Sequence, residues 1–237
     1  MQSLDLARSR ASFYGFINMP FLDLPDEQFV RSLRDEAFCP VLEELGQSAD
    51  AHREITEGAA LMRTYLENTG DFDHEELARQ LGLDRTHLYR GVSPHSGVTP
   101  PYEALWIGKV GDADLLHEMA RIYREGGFTL KGDVHDRDVH DRLDYIGVQL
   151  NFMELLVNKE IAARQAGDAG AIQVALGYEK NFLLNHVGKW IPGFVSSALG
   201  QAQTDFFRGH LHMVKGFIEQ EIAVLEAMHG QVVRTSR

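Results

Sequence analysis

Apolar residues recur along this chain at spacings of three and four, the period of a helix that buries one face, and almost nowhere alternate as in strands. Phe207, Leu211, Val214, Ile218, Ile222 and Leu225 form one such stripe, and Ile146, Leu150, Met153 and Val157 another. Leu6, Phe13, Phe16 and Ile17 predict a first helix ending near Met19, where Pro20 interrupts it. Pro25 and the acids behind it open the next helix, and Pro40 breaks a following short one. Residues 48–66 predict a long helix ended by Gly70. Another starts at 71 with an acidic turn and meets a boundary or kink at Gly82. The stretch 91–101 holds two glycines and three prolines and cannot carry helix. Helix is expected again over 112–125 and through the last third, punctuated at Gly167, Gly170, Pro192, Gly193 and Gly200. The expectation is an all-α, single-domain helical bundle of two groups, 1–127 and 139–237, joined by a hinge loop at 128–138. No Ser- or Pro-rich tether separates the groups.

A chain of 237 residues, 44% hydrophobic and 24% charged, can bury one sizeable core. Cys39 is the only cysteine, which excludes an intramolecular disulfide and a cysteine-built zinc site, and its apolar neighbours predict burial. The N-terminus lacks the apolar run of a signal peptide and no stretch suits a bilayer, so a cytoplasmic protein without membrane insertion is expected. With 23 basic against 35 acidic residues, net −12, nucleic acid is not an expected partner. The acidic excess either serves solubility or steers a basic peptide.

Three stretches carry candidate chemistry: RTHLYRGVSPHSGVTPPYEALW (85–106), DRLDYIGVQLNFMELL (141–156) and NFLLNHVGKW (181–190). In the first, Pro100 and Pro101 restrict the backbone. Tyr102 and Trp106 are four apart, so a helix begun at Pro101 aligns them, with Glu103 in its first turn. Two aromatics beside a carboxylate can seat an arginine-bearing peptide through cation–π and charge-assisted contacts; they can equally be core anchors with Glu103 satisfying a helix start. Asp144 is open to the same two readings, ligand acceptor or first-turn acid. His186 and Trp190, also four apart, fit a satisfied core pair.

Together the three stretches resemble the TorD/DmsD family of cytoplasmic redox-enzyme maturation chaperones. The family's aromatic–x–Gly–Pro element is matched by Tyr89-Arg90-Gly91, with Val92 in place of proline. Its Pro-Pro-Tyr-Glu-Ser element is matched by Pro100-Pro101-Tyr102-Glu103, with Ala104 in place of serine. Its Asp-His pair, followed by an acid, stands here as Asp144-Tyr145 with Gln149, so the group that titrates near neutral pH is missing. The resemblance implies a TorD-like helical fold and a chaperone that binds the twin-arginine leader of a molybdoenzyme subunit and assists its cofactor loading before export. It implies leader binding by Tyr89, Arg90, Gly91, Pro100, Pro101, Tyr102, Glu103, Trp106, Asp144, Tyr145 and Gln149, with His186 and Trp190 structural. No covalent chemistry, resident cofactor or metal is implied. The partners would be the leader and the apo-subunit, and the chaperone a monomer or a helix-exchanged dimer hinged at 128–138.

Two other classes compete. The pairs His135-Asp136 and His140-Asp141 suit a metal-dependent HD-type phosphohydrolase, although the arginines of VHDRDVHDR would compete with a metal for the acids. A helical scaffold without leader binding also fits. A di-iron bundle needs two Glu-x-x-His pairs, and the chain offers one, at Glu226 and His229.

Overall fold

The computed structural model describes residues 2–90, 98–111, 113–128 and 142–235, with side chains from 4 to 227 within those limits. The fold is all-α: helices α1 (Gln2–Leu22), α2 (Glu27–Leu33), α3 (Phe38–Gln47), α4 (Arg53–Asn68), α5 (His74–Tyr89), α6 (Glu103–Trp106), α7 (Ala113–Glu125), α8 (Ile146–Ala166), α9 (Ala169–Phe182), α10 (Gly188–Leu199) and α11 (Asp205–Thr235). A π-helical turn, Leu183–Val187, links α9 to α10. Among the described residues no strand forms; one isolated antiparallel bridge joins Tyr102 to Tyr145.

Local chemistry sets several helix ends. Asp26, Asp73 and Asp168 precede α2, α5 and α9, and each accepts a backbone N–H of the first turn, from Phe29, Glu76 and Ala171 at 2.8–2.9 Å. Gly167 closes α8 in the left-handed region at φ +69°, which glycine adopts without strain. Several expected boundaries move, among them the break at Pro192 and Gly193, which lie inside α10. Helix α1 continues through Pro20 to Leu22, because a proline so near the end removes a single intrahelical bond, and Arg85 donates to the Pro20 and Phe21 carbonyls at 3.1 and 2.7 Å. Pro40 lies in the first turn of α3, where its missing N–H costs nothing. Helix α4 starts at Arg53 and not at residue 48; His52 caps it. Gly82 sits inside an unbroken α5, and Cys39 is half-buried.

The chain divides into two compact units, neither of them a contiguous stretch. One comprises residues 1–19, 102–190 and 221–237; the other comprises 20–101 and 191–220. In the second unit Phe21, Tyr89, Phe194 and Phe207 form an aromatic core, with Phe21–Tyr89 centroids 4.8 Å apart and Tyr89 edge-on to Phe207 at 5.7 Å. The Tyr89 hydroxyl bonds His210 Nδ1 at 3.2 Å. Buried Asp84 fixes the turn before α11 by accepting from the Gln203 and Thr204 backbone N–H groups and the Thr204 hydroxyl. In the first unit α8 and α9, joined across Gly167 and Asp168, pack as a hairpin. Phe152, Tyr123 and Phe182 fill its core, with Phe152 centroids 4.7 and 4.8 Å from the other two.

Candidate functional site

The second and third signature stretches meet the Tyr102–Trp106 segment inside the first unit. The Tyr102–Tyr145 bridge lays two extended residues side by side, with ring centroids 5.4 Å apart. Beside it the Glu103 N–H donates to the Asp144 carbonyl at 2.9 Å, and the Ala104 N–H to Asp144 Oδ2 at 3.2 Å. Asp144 therefore precedes α8 and closes the N-terminus of α6, where Tyr102 offers no side-chain cap. Arg142 completes this corner. Its Nε and Nη2 reach Asp144 Oδ1 and Oδ2 at 3.2 and 3.3 Å, and its guanidinium carbon lies 4.6 Å from the Tyr102 ring centroid.

Behind the corner runs a buried polar chain. Trp190 Nε1 donates to Gln149 Oε1 at 3.0 Å, Gln149 Nε2 donates to Glu103 Oε2 at 2.5 Å, and His186 Nδ1 lies 3.1 Å from Glu103 Oε1. All four side chains are buried, and His186 stacks on Phe182 at 4.9 Å. The amide at 149 suits this position because it accepts from the indole and donates to the carboxylate at once, which a second carboxylate could do only when protonated. The π-helical turn carries His186, Trp190 follows in the first turn of α10, and both side chains reach the network. Tyr123 donates to the Leu143 carbonyl at 2.7 Å. Burial pushes its hydroxyl pKa well above the usual value, and the charges of Glu103 and Asp144 add to the shift.

Glu103 and His186 also border a cavity of about 200 Å³, walled by Ile107, Lys109, Leu115, Glu118, Asn181, Asn185 and Lys189. It is a polar recess with charges of both signs, and it is the place where the buried network meets a space large enough for a side chain.

The sequence-predicted residues thus separate. Tyr102, Glu103, Asp144, Tyr145, Gln149, His186 and Trp190 come together; Tyr102 is half-exposed and the other six are buried. Trp106 is half-buried at the end of α6. Tyr89 belongs to the aromatic core of the second unit, where Arg90 is exposed, Pro100 half-exposed and Pro101 buried. Gly91, the 129–138 part of the hinge stretch, both His-Asp pairs and the His229 side chain lie outside the described residues. The buried Asp84 and Arg85 were not singled out in the sequence, and Arg142 entered there only among the arginines that compete with a metal for neighbouring acids. Each had a visible signal, a charge beside a signature residue, but its partner lies far along the chain or in a turn without regular pattern.

A second buried ionic cluster was also missed. Arg10 binds Glu221 at 2.8 Å, Glu160 at 2.7 Å and Glu179 at 2.5 Å, all in the interior of the first unit. Among the described residues Glu54, Glu57 and His212 could each offer a ligand atom to a metal. Glu54 is already engaged by His212 and by Lys215 at 2.6 Å, and Glu57 by Arg53 at 2.7 Å, so cationic side chains serve those carboxylates. No helix among the described residues is long and apolar enough to cross a membrane.

Residues 48–196 match the model of the family described as nitrate reductase delta subunit. That span includes all three signature stretches. No curated protein matches the chain.

Proposed function

The chain belongs to the nitrate reductase delta subunit family, whose members are molybdoenzyme maturation chaperones and not enzymes, and on that premise we propose that it binds the twin-arginine leader of a molybdoenzyme subunit and holds the apo-subunit until its cofactor is loaded. The observation that carries this reading is the convergence of Tyr102, Glu103 and Asp144, separated by forty positions, into one corner beside the cavity. A leader offers guanidinium groups and an apolar run. The corner offers a carboxylate and an aromatic face, and half-buried Trp106 adds an apolar surface. The net charge of −12 favours encounter with a basic peptide, an effect felt mainly in association rate. The buried Glu103–Gln149–Trp190 chain supports α6 from behind, so its role is to hold the corner's shape. Nothing in this reading requires a covalent step, and the work belongs in the cytoplasm, before export.

Titration of a labelled twin-arginine leader against the purified protein tests the proposal. Binding at micromolar concentration, weakening as salt rises, is expected. No binding by a protein whose circular dichroism shows native helix would overturn it.

A further inference from the structure

Tyr102 and Asp144 each have partners other than the Arg142 side chain. Tyr102 is held by its bridge to Tyr145 and by ring contact. Asp144 is held by the Ala104 N–H and, through its carbonyl, by the Glu103 N–H. Arg142 is different. Its side chain is 46% exposed while that of Asp144 is fully buried. It reaches both carboxylate oxygens, at 3.2 and 3.3 Å. A planar cation lies over a ring and pairs side-on with a carboxylate, at a place whose backbone shape other bonds set.

We propose that Tyr102 and Asp144 form a guanidinium seat now filled by the chain's own Arg142, and that an arginine side chain from outside competes with Arg142 for it. The identification of the incoming arginine as one of a leader's pair rests on the leader-binding reading above; the seat itself does not. Arg142 then works as a placeholder. It keeps the buried Asp144 carboxylate paired when no ligand is bound, which avoids an uncompensated buried charge, and a half-exposed ion pair with an exposed cation–π contact is weak enough to be displaced. The seat distinguishes cations by shape, because only a planar guanidinium both stacks on the ring and spans two carboxylate oxygens.

Two ligands separate this proposal from the reading it rests on. Calorimetric titration with arginine amide probes the seat alone. Arg142→Gln should bind it about tenfold more tightly than the parent, Arg142→Lys should gain less, and Arg142→Gln combined with Asp144→Asn should lose the gain. Lysine amide should show no such difference. The second ligand is a leader peptide carrying its arginine pair, compared with the same peptide carrying lysines; Arg142→Gln should improve binding of the first only. If arginine amide binds Arg142→Gln no better than the parent, the seat is refuted whatever the leader does. If the amide shows the gain but no leader binds parent or variant, the seat stands and the leader reading fails.

Discussion

The Asp144 carboxylate accepts the Ala104 backbone N–H at 3.2 Å from forty positions further along the chain, so the loop before α8 supplies the cap that α6 does not carry itself. A four-residue helix has little stability of its own, since most of its N–H groups lack intrahelical partners. The cap and the Glu103 N–H to Asp144 carbonyl bond tie it to α8, and they tie Glu103 to Gln149 in turn.

Asp144→Ala should therefore destabilise the protein by about 1–2 kcal/mol, the usual cost of a lost side-chain cap. Asp144→Asn keeps an acceptor and should cost less. Urea midpoints at constant slope measure both; equal losses for the two variants would mean that the charge matters and the cap does not.

Gln149 answers two groups at once, and Leu in its place would answer neither. Gln149→Leu leaves the Trp190 indole N–H and one Glu103 oxygen buried without these partners, for an expected loss of about 2–3 kcal/mol. Gln149→Glu restores the acceptor but can donate to Glu103 only when protonated, so that variant should recover stability as pH falls. Parallel denaturation curves in acid and at neutral pH check the contrast.

How much of this was legible follows from where each signal lives. The helices are written in local period, and the caps at Asp26, Asp73 and Asp168 in the residue just ahead of each helix. The relation between Asp144 and α6 was not legible as a cap, because local pattern placed Asp144 in the first turn of its own helix. His186 and Trp190 could be read as a satisfied core pair, but their partners Glu103 and Gln149 lie 83 and 41 positions away. Helix α1 running through Pro20 depends on Arg85, 65 positions on. That each compact unit is built from separate stretches of chain has the same origin, since long-range packing leaves no local trace.

Gly58 and Gly209 let α4 and α11 cross closely. A Cβ built on Gly58 would stand 2.4 Å from the Gly209 carbonyl oxygen and 2.8 Å from Met213 Cγ. The nearer obstacle is backbone and cannot rotate away, so helix propensity, which favours alanine, is outweighed by overpacking. Gly58→Ala should lose about 2–3 kcal/mol in thermal or urea unfolding, whereas Gly177→Ala, with open space at its Cβ, should be neutral or slightly stabilising.

Glu179 gives the protein a pH dependence whose sign is fixed. Burial pushes its pKa up to about 8. The Arg10 guanidinium opposes the shift, and the neighbouring Glu160 and Glu221 carboxylates reinforce it. Arg164, bound to Glu160 at 2.6 Å, adds the second cation, so one protonated carboxyl among three balances the cluster. Consistently, Glu179 Oε1 has no hydrogen-bond partner among the described residues, a position that a proton makes far less costly than a negative charge. The folded state keeps this proton up to about pH 8, while an ordinary carboxylate releases it near 4.5. Folding therefore takes up a proton across that window. The stabilising contribution is complete below about 4.5 and is lost as pH rises toward 8, at up to about 1.4 kcal/mol per pH unit. Glu179→Gln removes the titration while keeping the shape and the acceptor for Arg10. Its stability should match the parent in mild acid and exceed it near pH 8, with a flatter profile between; parallel slopes for the two proteins in urea unfolding across that range would show that Glu179 stays ionised in the fold.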